Sequence, residues 1–406
     1  MSDNLVLISG GGIGGLSAAL GLAQQGIPSL VLERAPELGE IGAGIQLGPN
    51  AFHAFDYLGI GEEARAAAVY VDKLLLMDAM SAEEICSIPL DAPFRERFGN
   101  PYAVVHRGEL HGVMLRGCEK HPLIDLRTNS EVVSYSQTED GVEAVLADGS
   151  RIKGRALIGA DGLWSKIRQQ MVGDGMPRVT GHTTYRSVIP YDQMPEELRL
   201  NAATLWAGPK CHLVHYPLSG WKTFNLVVTY HNHAPEPVAG LPVSHEEVMQ
   251  GFEHIHPRAQ QIIKIGQDWK KWVLCDREPI MDWTDGNVAL LGDAAHPMMQ
   301  YLAQGACMAM EDSVILSVEC GKTPDDLPGA LRRYQDRRRL RTARVQLQAR
   351  EVGNHIYHPN GAHAALRNQI MQAKTPEQWY DVVDWMYAAE DIVAATSASQ
   401  RSTVDA

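Results

Sequence analysis

The chain has 406 residues, enough for one large or two ordinary domains, and 45% of them are hydrophobic, which supports a substantial core. Its 36 basic residues against 49 acidic ones give a formal net charge of −13, which argues against a nucleic-acid-binding surface. No apolar run approaches the ~18 residues of a membrane span, and the first strand begins too close to Met1 to leave room for a signal peptide.

Residues 4–33 read as strand, tight turn, helix and strand. The apolar Leu5, Val6, Leu7 and Ile8 lead into Gly10-Gly11-Gly12-Ile13-Gly14-Gly15, where Gly10, Gly12 and Gly15 hold the G-x-G-x-x-G spacing. The first glycine permits the turn, the second lets a diphosphate approach the backbone, and the third lets the helix pack closely on the strand. Leu16, Ala19, Leu20 and Ala23 recur at helical spacing, and Gly26 stands where a left-handed C-terminal cap is expected. The helix N-terminus then presents N–H groups and partial positive charge to an anion. Glu33 lies 18 residues past Gly15, where a carboxylate accepts hydrogen bonds from an adenosine ribose. That favours an unphosphorylated ribose, which FAD and NAD share and NADP lacks. The nucleotide-binding set in this stretch is Gly10, Gly12, Ile13, Gly14, Gly15, Glu33 and Arg34.

Residues 39–50 are rich in glycine, which reads either as backbone approaching a ligand or as a surface loop. Helical spacing resumes at Ala51, Ala54, Phe55 and Leu58, and residues 73–78 and 87–90 read as a small strand excursion. Arg107 follows Val104 and Val105 at a strand-to-helix junction, where it is either a cofactor contact or an ordinary surface arginine. Residues 131–137 and 142–146 alternate in hydrophobicity, with Asp148-Gly149 as a hairpin turn. Residues 156–159 form a buried strand that runs into Asp161-Gly162. Ligands of parallel sheets collect outside such carboxyl ends. The six cysteines (Cys86, Cys118, Cys211, Cys275, Cys307 and Cys320) are scattered without a C-x-x-C pair and read as reduced thiols of a cytoplasmic protein.

From residue 181 to about 272, short alternating strands replace the strand–helix units, as in a separate, largely antiparallel sheet inserted into the nucleotide domain. Within residues 211–216 the period of two puts His212, Val214 and Tyr216 on one face and Cys211, Leu213 and His215 on the other. His212 and Tyr216 then lie roughly 13 Å apart, enough to line opposite ends of a single-ring pocket. Residues 288–297 return to the first domain with a second strand ending in Gly292-Asp293, and the following loop carries His296, Pro297, Gln300 and Tyr301 into a helix. The last third is helical, and its arginines between Arg332 and Arg350 read as a solvated face or one paired with the abundant acids, with an anion site as the alternative. Residues 397–406 read as a frayed end.

Three blocks in this order, Gly10 to Gly15 with Glu33, Gly159-Ala160-Asp161-Gly162, and Gly292-Asp293-Ala294-Ala295-His296-Pro297, resemble the class A flavoprotein aromatic hydroxylases over nearly the whole chain. The resemblance implies an α/β fold with a Rossmann-like FAD-binding domain (1–72, 100–178 and 280–330), an inserted, mainly antiparallel substrate sheet (73–99 and 179–279) and a helical C-terminal region (331–406). It implies tightly bound FAD, with Glu33 on the ribose, Arg107 and Gln46 in contact with the cofactor, and Asp293 by the ribityl-diphosphate. Asp161 then serves both FAD and a transient nicotinamide site. Gly305 and Ala306 approach the isoalloxazine, and Pro297 lines its reactive face. NADH visits and leaves without a second glycine fingerprint, and O2 is the other co-substrate. His296 and His215 are read as structural, and no metal site is expected.

Residues 208–212 and 216–218, together with 297–305, narrow the resemblance to members acting on hydroxybenzoates. The implied reaction hydroxylates 3-hydroxybenzoate para to its hydroxyl through a flavin C4a-hydroperoxide, giving 2,5-dihydroxybenzoate (gentisate). His212 is then the base on the phenol, Gln300 orients the phenol oxygen and Tyr216 hydrogen-bonds the substrate; Arg186 is a candidate for its carboxylate. Relatives acting on 6-hydroxynicotinate carry His where Gln46 and Tyr301 stand here, which counts against that substrate. The alternatives are a hydroxylase of salicylate or another phenolic acid, an NAD-dependent dehydrogenase, and a flavin-binding sensor without turnover. The helical C-terminal third is compatible with a homodimer.

Overall fold

The computed structural model describes residues 5–39, 43–139, 141–395 and 397. Residues 40–42 of the glycine-rich stretch, and residues 398–406 of the polar end, lie outside the described residues.

The strongest apolar runs build a six-stranded sheet. Val6–Ser9 and Ala156–Gly159 are buried along their whole length and pair in parallel, as strands covered on both faces do. Ser29–Leu32 and Ile124–Arg127 extend the sheet beside Val6–Ser9, and Val288–Leu290 extends it beyond Ala156–Gly159, all in parallel. Thr284–Asp285 adds an antiparallel edge. The chain thus reverses its winding between Val6–Ser9 and Ala156–Gly159, and a crevice opens at their carboxyl ends. Glycine makes this closeness possible. Gly10 adopts φ +110°, and a Cβ there would stand 2.4 Å from the Ala160 carbonyl oxygen; one on Gly15 would stand 1.9 Å from that of Gly10. Helix Ile13–Gln24 is thereby drawn onto the sheet, and Gly26 ends it with the expected positive φ of 70°.

An eight-stranded sheet stands beside the first. Its order is Ala239–Pro242, Lys270–Asp276, Arg178–Pro190, Thr223–His231, Cys211–Leu218, Ala202–Gly208, Lys73–Asp78 and Glu84–Pro89. Every pair is antiparallel except Ala202–Gly208 with Lys73–Asp78. One face packs Trp206, Leu213, Phe224 and Leu226 under helices His245–Gln250 and Pro257–Lys264, through Val248, Ile262 and Ile263. On the other face the register sets Thr184, Thr229 and His212 side by side.

The glycine-rich stretch is not a loop throughout. Gly44–Leu47 is a strand antiparallel to Ala103–His106. What approaches Gly44 is the protein itself: its N–H donates to Asn225 Oδ1 at 2.8 Å, and a Cβ would stand 2.5 Å from the Tyr216 ring. This contact docks the small sheet onto the large one.

The arginine run pairs with acids, and at one position it does so inside the core rather than on a solvated face. Helix Leu327–Val352 buries Arg338 completely, with Nη1 donating to Glu311 Oε2 and Nε to Asp312 Oδ1, both at 2.7 Å. Arg341 adds two 2.7 Å bonds to Glu311, and Arg350 reaches Asp276 at 2.8 Å. Burial pushes the Glu311 and Asp312 carboxyls up, but the facing Arg338 with Arg341, and His296 with Arg338, outweigh it and hold both below the usual range. Arg338→Met removes the one cation among the described residues that meets both buried carboxylates, and we expect it to cost about 3–5 kcal/mol, read as a lower urea midpoint at unchanged m-value.

Candidate active site

The crevice where the parallel sheet reverses is a cleft of about 740 Å³, within the roughly 300–1,000 Å³ usual for such sites. Gly10, Gly12, Ile13, Gly14, Glu33, Arg34, Arg107, Asp161, Asp293, Gly305 and Ala306 all line it. Three other expected cofactor residues do not. Gly15 stands behind the turn against Gly10. Gln46 is turned aside, its Oε1 accepting from the Tyr102 hydroxyl at 2.6 Å. Pro297 backs onto helix Leu327–Val352, where its carbonyl accepts from Gln346 at 3.0 Å.

Gly12 caps helix Ile13–Gln24 with no side-chain bond, which leaves first-turn N–H groups for an anion. Glu33 accepts the Gly11 N–H at 2.7 Å and the Ala35 N–H at 2.8 Å, so its carboxylate is held at the cleft wall. Asp161 accepts the Ser165 hydroxyl at 2.6 Å and the Lys166 N–H at 2.8 Å, which caps helix Lys166–Met171 from inside the cleft. Burial pushes the Asp161 and Asp293 carboxyls up; at Asp293, His296 and Arg107 pull the other way. His296 gives its Nε2 to Asp312 at 2.5 Å, and the Gly292 N–H reaches the same oxygen at 3.1 Å. That pair ties down the loop holding Asp293.

Three candidate catalytic residues stand on the large sheet and the loop above it, outside the lining of the cleft. His212 is 1% exposed. Its Nδ1 lies 2.8 Å from His358 Nε2, and its ring packs on Tyr357 at 5.0 Å and Tyr301 at 5.3 Å. Burial first, then the neighbouring His358 and His182, hold its imidazole well below the ordinary value. Gln300 donates to Thr184 Oγ1 at 3.1 Å and Thr229 Oγ1 at 3.2 Å, and accepts from Arg186 at 3.3 Å. Thr229 stands directly opposite His212 in the register, so the Gln300 amide is anchored on the strand beside that residue. Tyr216 is 2% exposed, and its hydroxyl has no hydrogen-bond partner among the described residues. Burial pushes it up while the charge of Arg186 pulls it down. Arg186 feels Arg107 in turn, which brings this group to the edge of the cleft. His215, on the opposite face, accepts from Trp206 Nε1 at 3.2 Å.

A profile for an FAD binding domain matches residues 3–349. The chain is 57% identical over 389 residues to 3-hydroxybenzoate 6-hydroxylase 1 of Aquipseudomonas alcaligenes, spanning 96% of this chain and 98% of that one. It is 50% identical to a 3-hydroxybenzoate 6-hydroxylase of Polaromonas naphthalenivorans, spanning 95% and 97% of the two chains. This chain belongs to the FAD-dependent aromatic hydroxylases. Among solved structures, Klebsiella pneumoniae HpxO complexed with FAD and uric acid matches it at TM-score 0.81 and 26% identity, over 97% of this chain and 98% of that one.

The hydroxylase's own residues fit FAD. The Gly10 turn leaves no room for a side chain, the uncapped helix faces the same space, and Glu33 stands at the second strand's tip. Of the residues packed around His212, the sequence singled out Tyr301 but not His182, Tyr357 or His358. His182, Tyr301, Tyr357 and His358 come from three separate segments, and no local pattern links them. Tyr357 ends, and His358 follows, a single π-turn, Gly353–Tyr357, at the end of the 26-residue helix, a distortion that recurs at functional sites. Among the described residues no helix is long and apolar enough to cross a membrane, and all six cysteines are free thiols.

Burial pushes the His215 imidazole down to about 3, so it stays neutral in the fold but titrates near 6.5 once unfolded. The unfolded chain therefore binds one more proton below about pH 6.5, and stability falls as pH drops through that value. His215→Gln keeps an acceptor for Trp206 and should make the stability loss between about pH 6 and 4 shallower by roughly 1.4 kcal/mol per pH unit. Urea titrations of both proteins across this range measure the difference.

Proposed function

We propose that the hydroxylase uses NADH and O2 to hydroxylate 3-hydroxybenzoate at its 6-position, para to the hydroxyl, giving 2,5-dihydroxybenzoate. The observation that carries the substrate class is Arg186. Its Nε is buried without a partner, its guanidinium meets the Gln300 amide oxygen and the Trp272 ring, and no carboxylate of the described residues pairs with it. A buried cation without a counter-charge is costly, and an aromatic carboxylate completes the pair. The unpartnered Tyr216 hydroxyl beside it supplies a second bond. The names of the two relatives support 3-hydroxybenzoate within that class.

Bound FAD supplies electrons taken from NADH and activates oxygen toward an electron-rich ring. His212 keeps Nε2 without a protein partner, and this nitrogen receives the phenol proton. Even an imidazole at its ordinary 6.5 lies about 3.5 units, or roughly 4.8 kcal/mol, below a phenol near 10, and the burial of His212 widens that gap. Full ionisation before attack is therefore unfavourable, and proton transfer accompanies C–O bond formation. Gln300 turns its amide to the phenol oxygen, and the rings of Tyr301 and Tyr357 keep water from the transfer.

The same reading assigns 1–72, 100–178 and 280–330 to cofactor binding, 73–99 and 179–279 to the substrate sheet, and 331–406 to the helical region. The free thiols support a cytoplasmic setting. Exposed Leu340, Leu347, Leu366 and Ile370 on the C-terminal helices support pairing of two copies.

Product analysis over 3-hydroxybenzoate, salicylate and 4-hydroxybenzoate should give 2,5-dihydroxybenzoate from the first alone; comparable turnover of salicylate rejects the assignment. His212→Ala should keep its yellow flavin and its NADH oxidation yet release hydrogen peroxide in place of most product. Undiminished product formation would remove His212 from the mechanism. Arg186→Gln should raise KM for the acid by about tenfold to a hundredfold, the worth of a charge-assisted bond, while binding of neutral 3-hydroxybenzamide is unaffected. Equal losses for both ligands would assign Arg186 a packing role instead.

A further inference from the structure

His212 does not end the polar path from the substrate sheet. Its Nδ1 is 2.8 Å from Nε2 of His358, and the two rings are stacked at 29°. His358 arrives from outside the sheet, carried by the π-turn Gly353–Tyr357, and its carbonyl is tied to the Lys210 N–H at 3.3 Å. A Cβ on Gly353 would stand 2.5 Å from the Tyr301 ring, so this turn fits only because residue 353 is glycine. His358 is itself only half-buried. Beyond it lie His182 at 5.2 Å, His231 at 4.3 Å from His182, and the exposed His233 at 4.5 Å from His231.

Hydrogen-bonded imidazoles are not independent. In a neutral pair one nitrogen of each ring carries a proton and the other accepts. If His358 Nε2 accepts, the His212 proton sits on Nδ1 and His212 Nε2 is bare, which is the form a base needs. If His358 Nε2 donates instead, His212 carries its proton on Nε2 and meets the phenol as a donor. The orientation of one bond therefore decides whether His212 is a base. The surroundings keep both rings uncharged. Around His358 stand His182, His212 and His231, with Tyr301 and Tyr357 against the same rings; Lys210 acts on His231, and Asp276 acts only through His182 and Tyr301. No carboxylate bonds to His212 or His358 to trap a proton there.

We propose that His358 is a positioning residue that holds His212 in its basic tautomer and carries the phenol proton between the buried site and solvent. The phenol O–H breaks as an N–H forms at His212 Nε2. The His212 Nδ1 proton moves to His358 Nε2, and the His358 Nδ1 proton leaves to water. No electrons change hands in these transfers. When the hydroxylated ring regains aromaticity it loses its C6 proton to water, and the chain runs backward to return a proton to the phenol oxygen and restore both tautomers.

The proposal rests on His212 being the base, and its test separates the two claims. The FAD holoenzyme is mixed with 3-hydroxy-4-nitrobenzoate, whose phenol changes colour on ionisation, and a stopped-flow pH jump follows that ionisation without any turnover. His358→Gln keeps a polar side chain but cannot relay, so ionisation should slow at least tenfold at unchanged affinity for the nitrophenol. In His358→Ala, added imidazole should restore the rate, and the kcat–pH profile should shift while KM holds. An unchanged ionisation rate in His358→Gln, with His212→Gln slow, overturns the relay and leaves the base in place. Unchanged rates in both variants, or no binding of the nitrophenol by the wild-type enzyme, overturn the base and the relay together.

Discussion

Two adjacent carboxylates, Glu311 and Asp312, stand fully buried on the helix Gly305–Lys322 whose first turn lines the cofactor cleft. Unpaired, each would be costly in such a setting. Arg338 meets both of them, Arg341 adds a second guanidinium to Glu311, and Asn50 brings an amide to the same carboxylate at 2.7 Å. Asp312 spends its other oxygen on His296 and the Gly292 N–H, the loop that presents Asp293. One set of charges therefore fixes three things together: the start of the cleft helix, the second Gly-Asp loop, and the line of helix Leu327–Val352. The last matters most for chemistry. That helix runs on into the π-turn that seats Tyr357 and His358 against His212. The C-terminal region is thus part of the wall of the substrate sheet.

The site divides its electrostatics between two regions. Near the cleft, charge is kept: Arg186 acts on Tyr216, Arg107 acts on Asp293, and the two cleft aspartates are held by backbone and side-chain donors or offset by nearby cations. Around His212, charge is refused. Burial pushes His358 down to about 3 and His182 to about 4, and the facing phenols of Tyr301 and Tyr357 are pushed up. On the proposed reading, an uncompensated cation at one end of the site draws an anionic substrate, while neutral acceptors at the other end meet its hydroxyl. Such a division orients a ring bearing both groups more firmly than either end alone.

What the sequence disclosed, and what it withheld, follow from the reach of each signal. Gly10, Gly15 and Gly26 were legible because each answers a local demand, a positive φ or a missing Cβ within a few residues. The alternation that put His212 and Tyr216 on one face was legible because strand geometry has a period of two. The burial of Arg338 was not legible because its acidic partners lie 27 and 26 residues earlier, on a helix that itself reads as ordinary. Gly44 was read for a ligand when its neighbour is Tyr216, a contact between sheets that no window of sequence contains. His358 sits 146 positions from His212, and nothing in either neighbourhood predicts the pairing.

The same contrast explains why the two ends of the pocket differ in how they are built. The cofactor cleft is made of backbone, at strand ends and helix starts, so a few glycines and short acids suffice to specify it. The substrate end is made of side chains delivered by a sheet, a loop and a distorted helix terminus, and each needs the others in place to be useful. Gln300 illustrates this dependence. Its amide is held by Thr184 and Thr229 from two strands and by Arg186 from one of them, while Ala303, three residues on, takes a left-handed φ of 53° to turn the loop into the cleft helix. A non-glycine residue in that conformation carries a local cost of order 1–3 kcal/mol, sustained here by the hydrogen bonds on Gln300 before it and the buried carboxylates after it. The substrate end of this fold is therefore a property of assembled tertiary contacts, whereas dinucleotide binding is already written in the first strand, its turn and Glu33.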